Sequence, residues 1–221
     1  VVNSEFKIGK RETDFLRGRW GSLFLGYDAD KGGVEDLYHQ LARLYSAGGR
    51  AYHNLSHIRS LLDLSDTFRD RIQDYQALSF AIWFHDAIYD TRKKDNEELS
   101  AKFAVKSLGR FKVPVDTLAL ACEMILATRE HQSKDGSEDL KLFLDLDLSI
   151  LGSEEKVYRC YAQAIRKEYW WVSGFLYNEG RKKVLVSFME RESIYLTREM
   201  ANMLEEQARR NIRREIESLS N

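Results

Sequence analysis

Proline is almost missing: Pro114 is the only one in 221 residues. With so few breakers, the chain favours long helices over a strand-and-turn fold. Cysteine is scarce as well. Cys122 and Cys160 cannot build a disulfide framework or a four-cysteine zinc site, and a reducing, cytoplasmic setting is the expectation. Neither sign of charge dominates, since 34 Lys and Arg against 35 Asp and Glu leave a formal charge of −1. That excludes a nucleic-acid polymer as a partner held by bulk positive charge. No apolar run approaches the roughly 18 residues of a membrane span. The densest, 78–88, is interrupted by His85 and Asp86, so no membrane partner is expected. The first ten residues lack a signal-peptide pattern.

What is present fits one all-α domain over 1–221. The hydrophobic share is 43% and the charged share 31%, enough apolar surface for a real core. Leu37, Leu41, Leu44 and Tyr45 form one helical stripe, and Leu55, Ile58, Leu61, Leu62 and Leu64 another. Segment 77–89 is apolar nearly all round and reads as a central buried helix. Further helices are expected over 96–108, from Pro114 to about 130, over 139–151 with Gly152 as terminator, and from an N-cap at Ser153 to Trp171 or beyond. Two more are expected over 178–191 and 198–218, the last a candidate homodimer contact. Aromatic residues Tyr161, Tyr169, Trp170 and Trp171 read as core rather than as a stacking platform.

Histidine is rare, five in all, yet two fall in Tyr52-His53-Asn54-Leu55-Ser56-His57. On a helix, a four-residue spacing puts both imidazoles on one face. His85-Asp86 sits inside the most apolar segment, where an ionised carboxylate is costly unless paired or bound to a metal. A hydrogen-bonded pair and a cation site are both open there. Imidazole and carboxylate suit Zn, Mn, Fe, Co, Ni or Mg. In Leu144-Asp145-Leu146-Asp147-Leu148, helical neighbours make Asp147 the buried carboxylate and the better ligand candidate, and Asp145 a solvated or packing residue. His131 closes the helix begun at Pro114, as a second-ion ligand, a phosphate contact or a helix cap. Asp90 is placed to orient a ligand histidine. Asn96 and Glu97 are candidate substrate contacts, with capping the alternative for Asn96. Arg50, close to His53 in sequence, is the first choice for phosphate binding.

Two histidines, a His-Asp doublet and a distal aspartate, in that order on helices, resemble the HD-domain metal-dependent phosphohydrolases. The resemblance implies an all-helical HD fold with His57, His85, Asp86 and Asp147 as metal ligands. Tyr52-His53-Asn54 followed by His57 also resembles class I cyclic-nucleotide phosphodiesterases, which implies His53 as the acid that protonates the leaving group. The chain is similar over about 20–215 to a small group described only as metal-dependent HD-superfamily phosphohydrolases. The shared-looking segments include Trp83-Phe84-His85-Asp86-Ala87-Ile88-Tyr89-Asp90 and Ile165-Arg166-Lys167-Glu168-Tyr169, and they imply Arg166 as a further substrate contact. The activity implied is hydrolysis of a small phosphorylated metabolite, such as a nucleotide, with one or two divalent ions and Asp86 in a catalytic, bridging role. A cyclic-nucleotide or dinucleotide phosphodiesterase, a non-catalytic metal- or nucleotide-binding module and a metal-free helical scaffold are the alternatives.

Overall fold

The computed structural model describes residue 6, residues 8–133 and residues 135–220. Among the described residues there are ten α-helices and no strand. They are α1 Lys10–Ser22, α2 Lys31–Tyr45, α3 Leu55–Asp66, α4 Tyr75–Phe84, α5 Asn96–Leu108, α6 Val115–Ala127, α7 Glu138–Asp147, α8 Glu155–Glu168, α9 Gly174–Met189 and α10 Arg198–Leu219.

The expected central helix is α4, and every residue from Ala77 to Phe84 is buried. It packs against α3, α5, α6 and α7. Asp74 starts it by accepting from the Ala77 amide at 2.8 Å. Trp20, Trp83 and Phe80 form an aromatic core with edge-on rings, the two indoles 5.4 Å apart. Trp20 belongs to α1, which the periodicity did not reveal. Only Leu16 and Trp20 are buried in that helix, and two apolar residues among charges make too thin a stripe.

Four local expectations are corrected. The helix expected over 77–89 ends at Phe84, which leaves His85 and Asp86 on the irregular segment beyond it. His53 lies outside α3, which begins after an Asn54 cap whose side chain accepts from the Ser56 amide at 2.8 Å. Ser153 does not cap α8; its hydroxyl donates back to the Ile150 carbonyl at 2.8 Å, and Glu154 takes the cap position. Trp170 and Trp171 are 69% and 41% exposed, because α8 stops at Glu168 and the chain turns away from the core.

Behind the site, α10 packs on a 3₁₀ turn, Leu148–Gly152, and on α9. Asn211 donates to the carbonyls of Leu151 and Ser153 at 2.9 and 2.8 Å. A Cβ on Gly152 would meet the Leu204 Cβ at 2.5 Å and the Leu204 carbonyl at 2.9 Å, so glycine is required for this close approach. Among the described residues, no helix is long and apolar enough to cross a membrane.

Candidate metal centre and its cleft

Three elements deliver the polar cluster. His57 stands in the first turn of α3, and His85 follows the last turn of α4. Asp86 is next in sequence, and Asp147 is the last residue of α7. Both histidines are only 2% exposed. His85 Nδ1 donates to the Ile82 carbonyl at 2.9 Å, which turns Nε2 into the cluster. There it lies 3.1 Å from His57 Nε2 and 3.1 Å from Asp86 Oδ2. Asp147 Oδ1 is 3.1 Å from His57 Nε2 and 3.6 Å from His85 Nε2. Asp86 Oδ2 is 3.9 Å from His57 Nε2.

His57, His85 and Asp147 form a group that can hold a metal ion. The donor chemistry fits. Ligands about 2.1 Å from one ion stand about 3.0–3.4 Å from each other, close to the spacings seen. Buried lone pairs brought together this closely repel unless a proton or a cation lies among them. Burial disfavours a charged His85, but Asp86 and Asp147 outweigh it and raise its pKa well above the usual value. Burial lowers the pKa of His57. Asp147 is held well below the usual carboxylate range, because His85, His131 and His57 together overcome its burial. Without a cation, this cluster therefore shares protons that a cation would displace.

The cluster opens into a cleft of about 750 Å³. His53, Asp86, His131 and Asp147 line it, with α8 and α9 on the far side. His131 follows α6 in a left-handed turn, φ 45°, and its Nε2 lies 2.8 Å from Asp147 Oδ2. It reaches the cluster through Asp147 and does not merely cap its own helix.

His53 and His57 do converge, with ring centroids 5.9 Å apart, but through the turn before α3. Glu168 holds His53 in place. Its side chain is fully buried, with Oε2 2.6 Å from His53 Nδ1. The same carboxylate accepts from the amides of Tyr52 and His53 at 2.7 and 3.0 Å and from the Tyr89 hydroxyl at 2.7 Å. His53 Nε2 points the other way, 4.0 Å from Asp86 Oδ2. Burial alone would lower the His53 pKa, but Glu168 and Asp86 raise it. Glu168 is in turn lowered, His53 overcoming its burial. Sequence reasoning missed this role for Glu168. The available signal was its place on the apolar face of α8, after Tyr158, Tyr161 and Ile165.

The other candidates are engaged with other partners. Arg50 donates to the carbonyls of His53, Asp86 and Ala87 at 3.0, 2.7 and 3.0 Å, so it braces the His53 turn against the His85-Asp86 segment. Arg166 donates to the carbonyls of Tyr169 and Val172 at 2.7 and 3.0 Å. Asn96 clasps the backbone of Asp90 through two 3.0 Å bonds. Asp90 itself accepts from the Arg92 amide at 3.0 Å and does not hold a ligand histidine, because Ile82 has taken that role for His85. Glu97 lines the cleft and pairs with Arg129 at 3.2 Å. Asp145 is fully buried, and its carboxylate accepts from the Leu196 and Thr197 amides and the Thr197 hydroxyl at 2.7, 2.7 and 2.6 Å. Of the solvated and packing alternatives, packing holds: residue 145 faces the segment that leads into α10, which local sequence neighbours do not reveal.

Comparison of the chain with family models, with curated proteins and with solved structures gives no match.

Proposed function

We propose that this protein is a metal-dependent phosphohydrolase of the HD-domain kind, acting on a small phosphate ester. The observation that carries the reading is the meeting of buried His57 and His85 with half-buried Asp147, Asp86 beside them, at the floor of an open cleft. His57, His85, Asp86 and Asp147 would hold the ion. When bound, a divalent cation (Mn, Mg, Fe, Co, Ni or Zn; two ions if Asp86 bridges) lowers the pKa of water and offsets phosphoryl charge. His131 fixes the free oxygen of Asp147 and so orients that carboxylate. His53 supports the proton step. Its Nδ1–H is committed to Glu168, and its Nε2 is directed to the cleft side, where it can protonate the leaving oxygen.

The test is elemental analysis of untagged wild-type protein and of Asp147→Ala, with hydrolysis of p-nitrophenyl phosphate and bis-p-nitrophenyl phosphate. Wild type is expected to carry about one or two equivalents of a divalent metal and to hydrolyse at least one ester. Asp147→Ala should lose both properties. Unchanged metal content and turnover in the variant would overturn the assignment.

A further inference from the structure

The cleft has a second end, formed by α8 and α9. It is lined by Tyr161 and Ile165 of α8, by Tyr169 just beyond it, and by Leu176, Gly180 and Val184 of α9. Leu176, Gly180 and Val184 recur every four residues and form one stripe down α9. The α9 stripe lacks a protein partner: Leu176 is 63% and Val184 48% exposed.

Gly180 is the informative position. It lies in the interior of α9, where glycine costs helix stability relative to alanine. Neither of the usual reasons for a glycine applies. Its φ is not positive, and a Cβ there would meet no heavy atom within 4 Å. Gly180 lines the cleft and faces open space, so a larger side chain placed there would enter the cleft.

Polar groups at this end are mostly engaged. Arg181 pairs with Glu215 at 2.8 Å and donates to the Tyr161 hydroxyl at 3.5 Å. Two buried polar atoms along the cleft lack a partner: the Tyr177 hydroxyl and Arg191 Nε. Arg191 is anchored by the carbonyls of His131 and Glu130 at 2.8 and 3.0 Å, the first of these from the histidine that holds Asp147. No carboxylate is within ion-pair distance of its guanidinium among the described residues, so it can face an anion.

We infer that the Gly180 end of the cleft is a specificity pocket for an apolar or aromatic body on a phosphate ester, with Arg191 beside the anionic end. The inference rests on the phosphohydrolase reading for its phosphate end only. A sugar or polyol body would find too few free partners against these residues, whereas a flat apolar body buries Leu176, Val184 and the aromatic rings together.

The experiment is calorimetric titration of wild type and Gly180→Leu, in the presence of Mn, with 1-naphthyl phosphate and with glycerol 2-phosphate, alongside turnover of both esters. Wild type should bind the naphthyl ester at least about 10-fold more tightly. Gly180→Leu should bring that ratio close to one, with far-UV circular dichroism and thermal midpoint showing an intact fold. Equal affinity of wild type for the two esters, binding of neither, or an unchanged ratio in a folded Gly180→Leu overturns the pocket. Selective binding of the naphthyl ester with no turnover of either ester leaves the pocket standing and removes the hydrolase reading instead.

Discussion

At the residue scale, the site is organised by what holds its histidines. His85 is aimed by the Ile82 carbonyl and His53 by the Glu168 carboxylate. The two imidazoles thus receive different second partners, one neutral and one anionic. A neutral carbonyl holds the Nδ1–H and leaves Nε2 as the atom facing the cluster, which suits a ligand. An anion favours the imidazolium, which suits an acid. Glu168→Gln keeps the shape and removes the charge. The His53 pKa, raised by Glu168, should fall. The alkaline limb of the kcat profile reports loss of the protonated acid, so it should move to lower pH, and turnover at pH 8 should drop about 10–100-fold. Metal content should not change. A pH profile that stays in place would show that Glu168 only supports the Tyr52–His53 backbone.

At the element scale, the short segment between two aspartates has two unrelated tasks. Asp147 ends α7 and faces the cluster, while Asp145 turns to the opposite side and receives three donors from the segment that starts α10. Burial lifts the Asp145 carboxyl to about 6 against the pull of those donors. Asp145→Ala would leave the Leu196 and Thr197 groups without an acceptor, at a cost of about 1–3 kcal/mol. Urea unfolding should show that loss, and metal binding should survive under native conditions. Loss of metal at unchanged stability would instead place Asp145 in the metal site. Of the two expectations for Asp145, packing holds and solvation does not, for a definable reason. The helical neighbours of a residue within about one turn say which side of its helix it occupies, not which distant segment arrives there.

At the scale of the whole molecule, the cluster joins α3, α7 and the segment after α4, whose residues lie up to 90 positions apart from His57 to Asp147. A cation bound there favours the folded state only. At a hundred times its dissociation constant it should add about 2.7 kcal/mol, or roughly 5–10 °C in thermal midpoint for a domain of this size. A chelator should reverse the shift, and Asp147→Ala should show none. A midpoint indifferent to Mn, Zn and chelator alike would mean that the buried donors share protons only.

Much was legible in the sequence alone. One proline and long 3.6-residue stripes determined an all-helical chain, because backbone hydrogen bonding and side-chain periodicity are local. The apolar run around His85-Asp86 identified a polar doublet whose histidine is buried, because burial of that run is dictated by its composition. Only the tertiary structure decided which polar residues meet. It brought Glu168 to His53 across 115 positions, directed Arg50 to backbone carbonyls and left Gly180 facing open space. Such pairings depend on how helices pack, and packing is set by the sum of many apolar contacts rather than by any one segment's pattern.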